Sequence, residues 1–570
     1  MNYSFLSRIK ILSFFILLFA SALVLKLFWV QVIHKSSYSD RADRQYVTPS
    51  SDIFERGTIY FTRKDGTQVS GAVQASGFKL AITPKDISNS NEVFKQLLSI
   101  IPIDANSFLT SSLKLKDPYE EISDHLTKEQ ADMITSLKLS GVNIYKEKWR
   151  FYPGGDMASH ALGFVGYQGD QLAGRYGLER QYNNVLSRGI DNPYVNFFAE
   201  VFSNVRDSLF HNDEHAGDIL TTIEPSVENF LSNKLKEVQD KYNADSIGGI
   251  IMNPKDGSIY AMDAEPSFNP NDFSKVKNMK IFSNPIVENV FEFGSVVKPL
   301  VMAAGLDLGV VTSDTKYNDK GFVIVDKKQI NNFDKKGRGL NTTMQDVLNQ
   351  SLNTGMVYVF QHLGRDNFRN YMNSYAIGEK TGIDLPNETS GLISNLKSPR
   401  DIEYANASFG QGIALTPIEM IRALAALGNG GNLVTPHFVK EIKYNDGSTK
   451  ELIYSTQRVK FSEKTAQEIT RMLVTVMDKS FQGGKAKFDH YSVALKTGTA
   501  QVAREDGKGY YEDRHTHSFF GYFPAYNPKF IVFLYAVNPK GVPYASQTWG
   551  DPFLEITKFL LNYYEVTPDR

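Results

Sequence analysis

The chain has 570 residues, 62 Lys and Arg against 63 Asp and Glu for a net charge of −1, and no cysteine. Missing cysteines exclude disulfides, thiolate metal sites and thiol catalysis. Balanced charge argues against a nucleic-acid partner, and the length calls for two or more domains.

Ile11–Ile33 reads ILSFFILLFASALVLKLFWVQVI. It is long enough to cross a bilayer, and its only charge, Lys26, lies toward one end beside Trp29, where both suit the interface. The rival reading is a cleaved signal peptide, with Arg8 and Lys10 as its charged region and Ala20-Ser21-Ala22 as its cleavage site. The apolar run continues well past Ala22, so an uncleaved anchor is expected. Arg8 and Lys10 precede the span and Lys35, Arg41 and Arg44 follow it, which leaves orientation open on charge alone. No later stretch is apolar and long enough to span.

Residues of about 45–215 mix short alternating strands with polar helices. Arg56–Phe61 (RGTIYF) reads as a strand start, and the glycines in Asp156–Tyr167 suggest tight packing or turns. His160, alone among apolar residues, reads as structural. A boundary is expected near Gly217-Asp218. Beyond it, Ser246–Pro266 reads as two strands around a turn at Pro254–Gly257, and His517–Val537 as another hairpin turning near Tyr526-Asn527-Pro528. Asp551–Tyr564 reads as an amphipathic closing helix. Strands first and last with helices between predict an α+β fold, a central antiparallel sheet flanked by helices. No phosphate-cradling glycine loop is present, and no cofactor or metal is expected.

S-x-x-K recurs along the chain, among others at Ser7/Lys10, Ser111/Lys114, Ser274/Lys277 and Ser394/Lys397 besides Ser295/Lys298. Only Ser295 follows a glycine and opens an apolar run, Val296 to Ala304, that predicts a buried helix. There its oxygen faces a helix N-terminus, and Lys298 lies one turn on. A partly buried lysine near a second cation loses its proton and serves as a base. Lys496 in VALKTGTAQVA (Val493–Ala503), a β-prone run, supplies that cation. Gly498 allows close backbone approach, and the N–H of Thr499 with that of Ser295 makes an oxyanion hole. Lys380-Thr381-Gly382 is a second K-T-G in a turn-rich stretch and is rejected. Between them, a helix capped by Thr342 or Thr343 ends near Ser351 and Asn353, a proton relay and a hydrogen-bonding amide. Ser267-Phe268-Asn269 shares the S-x-N spacing and reads as a loop.

The ordered set S-x-x-K, S-x-N, K-T-G-T is the penicillin-recognising serine acyl-transferase signature. The chain resembles the class B penicillin-binding proteins, monofunctional peptidoglycan D,D-transpeptidases, over nearly its whole length. Arg56-Gly57, Arg150–Gly166 and Gly177–Leu186 resemble the family's pedestal motifs. Gly217–Glu228 resembles its transpeptidase entry strand and Ala407–Gly431 its helix after the active site. Three positions depart from the pattern: Phe293 for a proline, Phe61 for an aspartate, and Glu224 where the entry strand usually ends in Asp. Asn353 and K-T-G-T-A resemble the septal subgroup, penicillin-binding protein 3.

The resemblance implies three parts: a cytoplasmic tip and anchor at 1–40, a non-catalytic pedestal at 41–216, and a transpeptidase domain at 217–570. It implies Ser295 as nucleophile, Lys298 as base, and Ser351, Asn353 and Lys496 as further catalytic groups. Thr497, Gly498 and Thr499 would bind the donor. Implied partners are stem peptides ending in D-Ala-D-Ala, β-lactams, a multi-span septal glycan polymerase and other division proteins. The implied location is the inner membrane, single-pass, with the body in the periplasm. The alternatives are a β-lactamase or D,D-carboxypeptidase, an elongation-type transpeptidase, and a catalytically silent cell-wall scaffold.

Overall fold

The structure is a computed structural model that describes residue 19 and residues 55–168, 171–188, 216–504, 507 and 509–570. The expected anchor at 11–33 lies outside the described residues apart from Phe19. Among the described residues no helix is long and apolar enough to cross a membrane. The described residues form two compact units that interleave along the sequence, one built on 75–149 and the other on 56–74 with the described residues of 150–570.

Strand β1 (Ile59–Thr62) pairs antiparallel with the start of β2 (Gln68–Ile82), from Ile59 opposite Ala72 to Thr62 opposite Gln68. Phe61 is buried, its ring lying over Gly71, where any side chain would collide with it. In the smaller unit β2 pairs with β3 (Glu120–Leu126) and with β4 (Val142–Phe151). Helices α1 (Ser90–Leu98), α2 (Ala105–Ser112) and α3 (Lys128–Ser136) cover the face that alternation makes apolar. Leu80, Ile82 and Leu126 meet Val93, Leu97, Phe108 and Ile134 there.

In the larger unit three of the pedestal-like motifs converge. Glu179 on α4 (Gly177–Gln181) is wholly buried and receives Arg56 Nε and Arg150 Nε, each at 2.5 Å. Arg56 also donates to the Glu179 carbonyl and to Asn183, and Arg150 to the Gly57 carbonyl. A buried carboxylate is tolerated only with such pairing.

Strand β5 (Gly217–Thr221) runs parallel to β1. The hairpin of β6 (Ser246–Met252) and β7 (Ile259–Glu265) follows, then β8 (Val439–Tyr444), antiparallel to β5. Strands β9 (Ala494–Ala503), β10 (Tyr510–Phe523) and β11 (Phe530–Val537) complete an antiparallel sheet in the order β9-β10-β11-β6-β7. Both hairpins expected from the sequence are present. The sheet is buried between two helix groups, so β11 reads as a continuous apolar run, FIVFLYAV.

One group is α5 (Pro225–Tyr242) with the C-terminal helix. Glu224 caps α5 by accepting the Val227 N–H and also takes the Tyr563 hydroxyl at 2.8 Å, a fitted role for the glutamate at this departure. The other group comprises α6 (Lys298–Asp307), α7 (Met344–Asn349), α8 (Asn353–Ser374), α9 (Asp401–Ala407), α10 (Pro417–Gly428) and α11 (Glu463–Thr475). Helix α6 is buried at every position from Lys298 to Gly305, as a helix apolar all round must be. The closing helix, α12 (Ala545–Tyr563), starts six residues before the Asp551 read from the sequence and carries Pro552 inside it. Buried Thr548 and Trp549 extend it onto β10, and packing outweighs the proline's missing N–H.

Candidate active site

Gly294–Val297 form a 3-10 turn that runs into α6 at Lys298. The helix expected to start at Ser295 therefore begins in the tighter geometry. In a 3-10 turn residues i and i+3 eclipse, which sets Ser295 and Lys298 on one side. Gly294 has φ +63°, and a side chain there would lie 2.8 Å from the Thr499 carbonyl. Phe293, which replaces the usual proline, is buried edge-on against Phe533 at 5.0 Å between ring centroids. Its carbonyl accepts the Ser518 hydroxyl at 2.6 Å.

Thr343 caps α7 with Asp346 in a reciprocal capping box. The helix ends at Asn349, and Ser351 then adopts φ +56°. Glycine usually takes this left-handed position after a helix, and another residue pays about 1–2 kcal/mol there. The strained turn aims both Ser351 oxygens at Lys298: Nζ lies 2.6 Å from the carbonyl and 3.3 Å from Oγ. Lys298 Nζ also donates to Asn353 Oδ1 at 2.8 Å. Asn353 Nδ2 in turn donates to the Asn331 carbonyl at 3.0 Å, and Thr354 is tied to Asp319 and Asn332. Among the described residues no hydrogen bond joins Lys298 to Ser295; the amine is held by Ser351 and Asn353.

Lys496 reaches the same point from β9. Its Nζ donates to Ser351 Oγ at 2.9 Å and to the Thr497 carbonyl at 2.9 Å. Lys298 is 0% and Lys496 2% exposed, so neither ammonium is hydrated. Burial, with the neighbouring Lys496 charge, holds the Lys298 amine well below the usual lysine range. Burial brings Lys496 down to about 7.

Gly498 needs to be glycine because a side chain would sit 2.3 Å from the Phe293 carbonyl and from Ser518 Oγ. The close approach it permits is thus to the segment bearing Ser295. Thr499 Oγ1 accepts the Ala545 N–H at 3.2 Å, fixing the start of α12. Ser295, Ser351, Asn353, Lys496, Thr497 and Thr499 line one cleft of about 920 Å³. Sequence reasoning missed Asn406, Gln411, Gln501 and His515 on its walls. The signal for Gln411 was its bracketing by Gly410 (φ +82°) and Gly412 (φ +75°); a side chain on Gly410 would strike the Gly294 carbonyl.

The rejected patterns have local roles. Ser111 and Lys114 both bind Glu120. Thr381 and Gly382 give their N–H groups to Glu388 in a loop. Ser267 donates its N–H to Glu265, and Asn269 caps a 3-10 turn. Ser394–Lys397 is itself a 3-10 turn, while Ser7/Lys10 lies outside the described residues. His160 is buried with Nε2 against the Ile281 carbonyl at 2.9 Å, and burial lowers its pKa to about 4, a structural histidine. Among the described residues no cluster of His, Asp or Glu is arranged to hold a metal.

Residues 247–555 match the family described as "Penicillin binding protein transpeptidase domain". The chain belongs to this family. Residues 54–198 match the "Penicillin-binding Protein dimerisation domain", and the pair of domains makes it a class B, FtsI-like member. "Stage V sporulation protein D" of Bacillus subtilis is 30% identical over 519 residues, 88% of this chain and 77% of that protein. "Peptidoglycan D,D-transpeptidase FtsI" of Escherichia coli is 25% identical over 573 residues, 99% and 92% of the two chains. Penicillin Binding Protein 2X from Streptococcus thermophilus shares the fold with a TM-score of 0.71 at 20% identity, covering 90% of this chain and 81% of that one. Penicillin binding protein 3 from Mycobacterium tuberculosis gives a TM-score of 0.68 at 21% identity, covering 91% and 98%.

Proposed function

We propose that this serine-type D,D-transpeptidase works through an acyl-enzyme on Ser295, with Lys298 as the base that activates it. The arrangement of Lys298 carries the reading. A neutral amine has two N–H bonds and one lone pair. The two shortest contacts of Nζ, at 2.6 and 2.8 Å, are to the Ser351 carbonyl and Asn353 Oδ1, which only accept. Both N–H bonds are thereby committed, and the lone pair remains to accept a proton, with Ser351 Oγ the third neighbour of Nζ at 3.3 Å.

In the first half-reaction Ser295 Oγ bonds to the carbonyl carbon of the penultimate D-alanine as its proton passes to Lys298. The oxyanion is held by the N–H groups of Ser295 and Thr499. The C–N bond then breaks: Ser351 passes its proton to the departing D-alanine and takes up the one held by Lys298, 3.3 Å away. Lys496, Thr497 and Thr499 receive the donor's terminal carboxylate, and Gly498 lets the strand sit against the nucleophile segment. In the second half-reaction an amine from a neighbouring stem peptide attacks the ester, releases Ser295 and forms a 4,3 cross-link. A β-lactam enters as the donor does and stays attached.

The septal assignment rests on Asn353 and the K-T-G-T-A run. An inner-membrane anchor at 11–33, a periplasmic body with a pedestal at 41–216 and a transpeptidase domain at 217–570, and partnership with a glycan polymerase and other division proteins complete the reading. Elongation-type work is the second reading, and depletion separates the two: filaments indicate division, rounded cells elongation. Turnover of a chromogenic cephalosporin would indicate a β-lactamase instead. Failure of the folded protein to bind any β-lactam would indicate a silent scaffold. Acylation of purified Ser295→Ala by a fluorescent penicillin tests the nucleophile; undiminished labelling refutes it.

A further inference from the structure

We infer that Glu292 is a positioning residue for acylation: its carboxyl fastens the far arm of the β9–β10 hairpin to the segment that carries Ser295. The inference rests on the acyl-enzyme reading above.

Glu292 stands three residues before Ser295. Main-chain bonds fix its neighbours against the loop before α10. Phe291 and Leu415 exchange N–H to carbonyl bonds at 2.9 Å in both directions, and the Gly294 N–H meets the Gly410 carbonyl at 3.1 Å. The Glu292 side chain turns instead toward the hairpin, where the Tyr510 hydroxyl donates to its Oε1 at 3.2 Å across 218 positions of sequence. Tyr510 opens β10 opposite Ala503 of β9. The same two strands bear Lys496, Thr497, Thr499, Gln501 and His515, all on the cleft wall. The Glu292–Tyr510 contact therefore ties the wall that receives the donor to the turn that supplies the nucleophile. A displacement of about 1 Å between such parts costs up to about a hundredfold in rate.

The surroundings suit a neutral carboxyl. Oε2 is buried without a hydrogen-bond partner. The groups facing the pair are the Gly412 N–H, Tyr510 itself and, beyond Tyr510, Glu403 of α9, which is paired with Arg400 at 3.2 Å. Burial, the largest influence on it, pushes Glu292 up to about 7 against the Gly412 N–H and the Tyr510 hydroxyl. Ionisation would leave a buried charge that draws in water and loosens the arm.

The test is the acylation rate with a fluorescent penicillin from pH 6 to 8.5 for the wild-type protein, Glu292→Gln, Glu292→Ala and Tyr510→Phe. Glu292→Gln keeps the acceptor and cannot ionise. It should acylate within about twofold of wild type at pH 6 and then lose less rate than wild type as pH rises through 7. Glu292→Ala and Tyr510→Phe should fall at least about tenfold at every pH. A Glu292→Gln profile parallel to wild type, or wild-type rates in the other two, overturns the inference. If Glu292→Ala fails to fold, the comparison of Glu292→Gln with wild type still decides. Absence of labelling in the wild-type protein would instead defeat the acyl-enzyme reading.

Discussion

Ser351 Oγ stands between two amines, 3.3 Å from Lys298 Nζ and 2.9 Å from Lys496 Nζ. The two lysines come from different elements, 198 positions apart in numbering, and share this one hydroxyl. A positive Lys496 beside it disfavours a proton on Lys298, which is what a base waiting for the Ser295 proton requires.

The pH dependence of acylation should carry that coupling. Burial and the Lys496 charge hold Lys298 well below the usual lysine range, so wild-type acylation should rise with pH at values far below 10. Lys496→Met removes the neighbouring charge, and the Lys298 proton is then held more tightly. The acid limb should move to higher pH, on top of an overall loss of rate. A limb that stays in place or moves to lower pH contradicts the coupling.

Ser351 should show strain kept for function. Ser351→Gly removes the cost of φ +56° and should raise stability by about 1 kcal/mol, read as Tm. Ser351→Ala keeps the carbonyl that holds Lys298 but loses the hydroxyl. Its acylation should drop by about a hundredfold or more with the fold intact.

The buried Arg56–Glu179–Arg150 knot should govern acid stability. Burial alone would raise the Glu179 carboxyl, but Arg150 and Arg56 outweigh it and hold it below the ordinary 4.5. Its folded value is depressed, so its stabilisation is present above pH 4.5 and is lost as pH falls below that. Glu179→Gln should cost about 3–5 kcal/mol at neutral pH by leaving two buried guanidinium groups without their anion. Thermal melts at pH 7 and pH 4 should show a smaller drop in the variant than in wild type.

Asp263 on β7 works in the opposite sense. Burial raises it from 3.8 to about 7, and Glu228 on α5, raised by burial and by Asp263, faces it. One oxygen of each carboxyl is buried without a partner. A raised folded value gives stability that is full below pH 3.8 and is lost as pH rises through 7. Asp263→Asn should therefore lose less Tm than wild type between pH 5.5 and 8. An equal loss in both would contradict the assignment.

The site was legible where chemistry is local. Lys496 announces itself by a β-prone run, the Thr342-Thr343 pair by the helical spacing that follows it, and Ser295 by the glycine before it and the apolar run after it. What stayed hidden is set by distant partners. Nothing near Ser351 signals a left-handed turn, since no glycine occupies it. The contact of Glu292 with Tyr510 spans 218 positions. The amphipathic pattern marked the closing helix only from Asp551, yet Trp549 packing and the Thr499 hydroxyl begin it at Ala545. The pedestal-like motifs could be matched one by one, but only the fold brings Arg56 and Arg150 to a single carboxylate.

The most direct measurement is to label the purified protein with a penicillin, digest it and locate the adduct by mass spectrometry, alongside Ser295→Ala and Lys298→Ala. The expected result is a single penicilloyl ester on Ser295, absent from Ser295→Ala and slowed at least about a thousandfold in folded Lys298→Ala. An adduct on another residue, or wild-type labelling in either variant, would contradict the account.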